Sequence, residues 1–312
     1  MPRKAVIDIG TNSVKLLIAD VDDSGVCPIL EKSLQTRLGH GLYDSGRLHT
    51  DSIKATVEAI NEFFTTTGRF DLAGIGIMAT SAMREAENAR ELLDEIHKET
   101  GVQVKVVSGD EEADLVFQGV SQDIRYSGKP LMILDIGGGS TEFILGVGKG
   151  EISFKKSYPM GTVRLLELLN PSDPPLEDLA RCRAWVESYY HESILPDILK
   201  VKNEESSTHR KLIGVGGTFS YLARIILKTD GFDRRAIENR VVSKSEFQEL
   251  LTNFWSIPLD QRRHTIGLPG NRADVILMGL LILEAALNEL DLNEFHASTR
   301  GLRHGALGAA QE

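Results

Sequence analysis

Hydrophobic and polar positions along this chain form a pattern that occurs twice. Val6-Ile7-Asp8-Ile9-Gly10-Thr11-Asn12-Ser13 reads as an apolar strand ending in Asp and a turn of glycine and hydroxyl residues. Ile133-Leu134-Asp135-Ile136-Gly137-Gly138-Gly139-Ser140 has the same form. Each turn re-enters an apolar segment, Val14 to Val21 in the first copy and Glu142 to Val147 in the second. A hairpin signal follows each, Asp23-Ser24-Gly25 or Gly148-Lys149-Gly150, and then a third extended segment. The repetition predicts duplicated domains, residues 1–125 and 126–312, rather than one continuous sheet.

Beyond the three strands the first half turns helical. Ile53, Val57, Ile60 and Phe64 mark one face of a helix opening near Thr50-Asp51 and stopping at Gly68. Ala73 to Ala79 reads as a strand, a second helix carries Leu92, Leu93 and Ile96 to its end at Gly101, and Val102 to Val107 is another strand. Ser108 or Asp110 then caps a third helix running toward Val120. The order β-β-β-α-β-α-β-α predicts a mixed α/β layer fold. The second half repeats the opening and adds helices at Thr162–Leu169 and Leu176–Tyr190, a strand at Lys211–Val215, and helices at Lys244–Trp255 and Arg272–Leu287. The polar stretch Lys202 to Arg210 predicts a surface loop.

Composition narrows the picture. With 312 residues, 41% hydrophobic content, 29 Gly and 10 Pro, the chain is long enough for two cores. A net charge of −10 argues against nucleic-acid polymers or an anionic membrane as partners, so local groups must meet any polyanionic ligand. Cys27 and Cys182 are far apart and lack metal-ligand spacing, which fits a reducing cytoplasm. The apolar run after Met1-Pro2-Arg3-Lys4 is broken by Asp8 and is no signal-peptide core. Val275 to Leu283 falls well short of the ~20 residues a membrane span needs and reads as a buried helix. Trp185 and Trp255 read as core, and His304 as a surface or packing residue.

A strand ending in Asp, followed by glycine and hydroxyl residues, gathers backbone N–H and side-chain OH donors around a small concavity suited to phosphate. The carboxylate beside it suits a cation. The donors of the two copies are Gly10, Thr11, Asn12 and Ser13, and Gly137, Gly138, Gly139 and Ser140. Two such turns, in Asp8's copy and Asp135's, predict a divided phosphate site facing across a cleft. Gly214-Val215-Gly216-Gly217-Thr218 follows a third strand and opens a helix, another place for an anion, with Gly216, Gly217 and Thr218 as donors. It lacks the third glycine and the distal acid of a dinucleotide fingerprint.

These segments, with Ala79-Thr80-Ser81-Ala82-Met83-Arg84, Ser108-Gly109-Asp110-Glu111-Glu112-Ala113 and the continuation of the second turn to Glu142, resemble the exopolyphosphatase/guanosine pentaphosphate phosphatase family. Arg272-Ala273-Asp274 and Gly301-Leu302-Arg303 add matches, so the resemblance covers the whole chain. It implies two duplicated ribonuclease H-like domains with an active-site cleft between them, as in actin, heat-shock chaperones and sugar kinases. It also implies magnesium-dependent release of terminal phosphate from polyphosphate or guanosine pentaphosphate. Glu112 is implied as the general base with Glu142 beside the site, Thr80, Ser81 and Arg84 as phosphate contacts, and Asp8 and Asp135 as magnesium-proximal groups acting through water.

Helix geometry independently favours Glu112 over Glu111. Leu115, Val116 and Gly119 share the face of Glu112, whereas Asp114, Leu115 and Gln118 share that of Glu111. Partial burial and an acidic neighbour are expected to raise the Glu112 pKa. Lys15 stands where many relatives carry Arg, exchanging a bidentate fork for a point charge at a phosphate contact. Arg164, Arg262, Arg263 and Arg272 form a candidate basic track for a long polyanion. The leading reading is an exopolyphosphatase; a guanosine pentaphosphate 5′-phosphatase, a small-molecule kinase and a non-catalytic nucleotide-binding regulator are the alternatives. The resemblance and the apolar 275–283 helix together suggest a homodimer.

Overall fold

A computed structural model of the chain describes residues 1–23, 25–204 and 210–309. The chain divides into two compact units, one of residues 1–125 with the segment from Arg300 onward, the other of residues 126–299.

In the first unit, β1 (Arg3–Ile9), β2 (Ser13–Asp22) and β3 (Gly25–Gln35) form an antiparallel meander. β4 (Gly74–Ala79) and β5 (Val104–Val106) then add in parallel, giving the order β3-β2-β1-β4-β5. β1 lies at the centre, so Ala5 to Ile9 are buried without alternation, as a strand covered on both faces requires. Helix Thr50–Thr67 packs Ile60 and Phe63 against Ile7, Leu16 and Ile77, and helix Ala89–Thr100 brings Leu92 and Ile96 to the same core.

The second unit holds β6 (Pro130–Ile136), β7 (Thr141–Val147), β8 (Ile152–Tyr158), β9 (Lys211–Val215), β10 (Val241–Ser243) and β11 (Glu294–Ala297). Their order β8-β7-β6-β9-β11 repeats that of the first unit strand for strand, with β10 added antiparallel at the edge. This is the ribonuclease H-like arrangement expected of each half. Its core is larger and aromatic: Phe143 meets Tyr158 and Tyr190 edge to face, and Phe295 does the same with Phe219 and Phe247. Trp255 is buried in it and Trp185 packs at its margin.

The apolar stretch 275–283 lies, as read, in a buried helix: Ile276–Glu289 is buried all round from Ile276 to Leu287. Two sequence expectations change. The expected Lys202–Arg210 loop is helical at its start, in helix Leu195–Glu204, and 205–209 lie outside the described residues, as does Ser24 of the first hairpin signal. The second half was expected to run to residue 312, yet helix Leu302–Ala309 packs in the first unit against helix Gly109–Ser121.

Glycines cause that last outcome. A Cβ on Gly119 would stand 2.3 Å from the carbonyl oxygen of Gly301, and one on Gly305 would stand 1.9 Å from that of Leu115, so the two backbones approach as only glycine permits. Arg303 then donates to the Leu16 carbonyl (2.9 Å) and to Glu31 (3.0 Å), and Gln122 donates to the carbonyl of the buried His304 (3.0 Å).

Gly305→Ala should therefore destabilise the first unit by about 1–3 kcal/mol or more, the usual cost of overpacking. Gly74→Ala, at an exposed strand position with no atom within 4 Å of the added Cβ, should be close to neutral. Thermal unfolding followed by circular dichroism checks both, and equal melting of the two variants would contradict the close approach.

Candidate active site

The two Asp turns close in the same way. Strand pairing forces the chain to reverse through four residues after β1 and again after β6, and the first residue of each turn donates its N–H to the carbonyl of the last: Gly10 to Ser13 and Gly137 to Ser140, both at 3.0 Å. Asp8 and Asp135 each sit one residue before the end of their strand.

In the first unit the turn is braced by the chain beyond β3. Asn12 accepts from the Thr36 and Arg37 amides at its carbonyl and from Gln35 at its side-chain oxygen (3.1 Å), and the Thr11 carbonyl accepts from Gly39 (2.8 Å). Thr11, Asn12 and Ser13 are buried. Burial raises the Asp8 carboxyl above the ordinary aspartate range, and the charges of Lys15, its cross-strand partner, and Arg303 pull it partly back. Thr80 donates its N–H to the Ile9 carbonyl (3.2 Å), which sets the end of β4 beside the Asp8 turn. The Ser81 hydroxyl donates to Glu85 (2.8 Å).

One helical turn beyond Thr80, Arg84 donates to the Val107 carbonyl (3.1 Å) and to the Glu112 carboxylate (2.6 Å). Val107 follows β5, and Ser108 caps helix Gly109–Ser121 with a full capping box: its hydroxyl accepts from the Glu111 amide (3.1 Å) and the Glu111 carboxylate accepts from the Ser108 amide (2.8 Å). Glu111 also pairs with Lys105 at 3.1 Å. The Ser108 amide, with Lys105, holds Glu111 below the ordinary glutamate range. Glu112, next along the helix, is buried, in keeping with the face argument. The Arg84 guanidinium contacts it. Asp8, Thr80 and Ser108 thus lie at the carboxyl ends of the adjacent parallel strands β1, β4 and β5, the edge where ligands bind in such sheets.

In the second unit, the turn carbonyls accept from the first turn of helix Thr162–Leu169. Thr162 donates to Gly137 (3.0 Å), Val163 to Gly138 (2.8 Å), and the Arg164 side chain to the Gly139 carbonyl (2.9 Å). Glu142, opposite Asp135 in the β6–β7 register, is fully buried and accepts from the hydroxyls of Ser140 (2.8 Å) and Ser157 (2.7 Å). Gly216 has φ +93°, and a Cβ there would lie 2.7 Å from an Asp135 carboxylate oxygen. That carboxylate therefore stands against the start of helix Gly217–Ile226, bringing Asp135, the turn Gly137–Ser140 and Gly216, Gly217 and Thr218 together.

The arginine track does not form as expected. Arg262 is buried, its guanidinium donating to the carbonyls of Ala273 (3.1 Å) and Ile257 (2.6 Å), and Arg272 is buried too; Arg263 is exposed and Arg164 braces a turn. Arg262 looked solvent-facing because a charged doublet usually is, but one member pins the segment leading into helix Ile276–Glu289. Ser157 and Gln35 were missed altogether, because strand register rather than local pattern brings them to Glu142 and Asn12.

For a cation, the donors at each turn are a carboxylate and hydroxyls, all oxygen. Among the described residues no group of three or more His, Cys, Asp or Glu side chains gathers into a metal cage. The oxygen donors themselves suit magnesium, which takes one or two carboxylates and completes its shell with water and substrate phosphates. Among the same residues no helix is long and apolar enough to cross a membrane, and Cys27 and Cys182 are both thiols.

The Ppx/GppA phosphatase family model matches residues 17–310. Exopolyphosphatase 2 of Mycobacterium tuberculosis is 30% identical over 302 residues, covering 93% of this chain and 91% of its own. The crystal structure of an exopolyphosphatase from Cytophaga hutchinsonii superposes with a TM-score of 0.88 at 29% identity, covering 99% of this chain and 97% of that one. That of a Ppx/GppA family member from Aquifex aeolicus gives 0.80 at 29% identity with the same coverage.

The capping-box carboxylate makes a pH prediction. Because the folded Glu111 pKa lies below its unfolded value near 4.5, its stabilisation is present above that pH and is lost as pH falls through the folded value. Glu111→Gln should weaken amide protection in helix Gly109–Ser121 at pH 7, by under about 1 kcal/mol because the side chain is half exposed. The gap from the parent should narrow progressively as the pH falls below 4.5. Hydrogen exchange at pH 7 and along an acid series reads it; a gap that does not narrow in acid would contradict the pairing.

Proposed function

Because the chain belongs to the Ppx/GppA phosphatase family, we propose that it is a phosphoanhydride hydrolase that releases terminal phosphate from inorganic polyphosphate with the help of magnesium. The observation that carries the reading is Glu112: a buried carboxylate in the first turn of a helix, joined to Arg84, at the strand-end edge that also carries Asp8 and Thr80. The exopolyphosphatases among its relatives support polyphosphate as the substrate.

In this reading Glu112 takes a proton from water as the water oxygen bonds to the terminal phosphorus. The bridging P–O bond breaks, and its electron pair leaves on the shortened chain. Arg84 neutralises charge on the equatorial oxygens, and the amides of the two glycine turns orient the phosphates, since phosphoryl transfer asks mainly for positioning and charge neutralisation. Magnesium, when bound, would supply further neutralisation, and an Asp-turn carboxylate, Asp8 or Asp135, would hold it through water. Glu142, enclosed by Ser140 and Ser157, holds the Ser140 hydroxyl in place rather than meeting water itself.

Phosphate release from long and short polyphosphate, guanosine pentaphosphate and ATP, compared side by side with and without magnesium, tests the assignment. Polyphosphate should give the largest kcat/KM; a preference for guanosine pentaphosphate would move the substrate within the same chemistry. Glu112→Gln should lower kcat by roughly 10²–10⁴, while Glu111→Gln should be mild. Near-normal turnover in Glu112→Gln would remove the base from the mechanism. Asp135→Asn should raise the magnesium concentration needed for half-maximal rate, and superimposable titrations would make that carboxylate structural.

A further inference from the structure

We propose that Arg84 and Glu112 form a pair that substrate displaces: the guanidinium occupies the base until a terminal phosphate takes over its hydrogen bonds. This rests on the function proposed above and adds a gate to it. The pair is short, 2.6 Å, and both partners are mostly enclosed, with side-chain exposures of 20% and 11%. A carboxylate oxygen engaged by a guanidinium at this distance is not open to a water proton. The same contact that assembles the site therefore restrains its base.

The local structure permits the exchange without rebuilding. The nitrogen that meets Glu112 also donates to the Val107 carbonyl at 3.1 Å, and Val107 is itself fixed by its amide bond to Ala79 at 3.0 Å. That anchor stays when the carboxylate is replaced, because guanidinium carries five N–H donors in a rigid fork. The Arg84 amide is bonded to the Thr80 carbonyl at 3.1 Å, so the side chain rises from the residue beside the Asp8 turn. A phosphate held there competes directly with Glu112 and offers more negative charge. Glu111 takes no part, since the cap and Lys105 engage it.

Competition has a thermodynamic signature that needs no turnover. If Glu112 competes with phosphate for Arg84, weakening the pair must tighten phosphate binding, and only where Arg84 is present. Glu112→Asp separates this from simple repulsion: it keeps the charge but shortens the reach, so it weakens the pair and leaves the carboxylate's repulsion in place.

The test is calorimetric titration of the full chain, with magnesium, using a methylene-bridged, non-hydrolysable triphosphate. The proteins are the parent, Glu112→Gln, Glu112→Asp, Arg84→Gln and the Arg84→Gln/Glu112→Gln double variant. Glu112→Gln and Glu112→Asp should each bind about tenfold more tightly than the parent, the scale of one charge-assisted hydrogen bond. In the Arg84→Gln background the effect of Glu112→Gln should shrink to about twofold or less. Glu112→Asp binding like the parent, or Glu112→Gln tightening equally in both backgrounds, would reduce the effect to repulsion and overturn the gate while leaving the hydrolase reading intact. A parent that does not bind the analogue would overturn both. The Glu112→Asp arm stands alone if Arg84→Gln does not fold.

Discussion

Everything in the proposed site depends on one constraint of strand geometry: after a buried strand with a carboxylate one residue from its end, the chain must reverse through four residues to pair with itself. The amide-to-carbonyl bonds from Gly10 to Ser13 and from Gly137 to Ser140 meet that constraint identically. The parallel strand beside each turn, β4 or β9, sets the start of a helix next to it. The placement of the proposed phosphate contacts thus follows from sheet topology.

Much of this was legible in the sequence because it is local. The Asp-Gly turns, the strand Lys211–Val215 and helix Thr162–Leu169 fall where periodicity placed them. So does the choice between Glu111 and Glu112, since a capping box is a short-range pattern and leaves the next carboxylate to turn inward. What register creates was not legible. Ser157 reaches Glu142 only because β8 pairs with β7, and β10 and β11 are too short to show alternation. Helix Leu302–Ala309 is rich in small residues and carries little apolar period; its partner is recorded in glycines about 180 positions upstream of it, at close quarters only after folding.

Arginine is where sequence and structure diverge most, and the reason is energetic. A guanidinium keeps its charge when buried, so it can satisfy several carbonyls at once where no neutral side chain has enough donors. Arg262 does this at a segment junction, and Arg164 and Arg303 each brace one carbonyl, of Gly139 in a turn and of Leu16 in a strand. In a chain with net charge −10, the cations near the proposed chemistry are thus largely engaged in holding it together. In the proposed reading, contacts to a polyanion would then come from the turns and Arg84 rather than from a broad basic field.

The return of the segment from Arg300 onward to the first unit makes that unit discontinuous in sequence, with 126–299 threaded between its two parts. During synthesis from the N-terminus, the unit begun first is therefore finished last. Its sheet can form early, but the face of helix Gly109–Ser121 shaped by Gly119 waits for Gly301 and Gly305 to leave the ribosome, by which time the second unit has been translated in full. The order of completion on the ribosome is the reverse of the order of translation, and the helix bearing Glu112 gains this packing partner only once helix Leu302–Ala309 has been made.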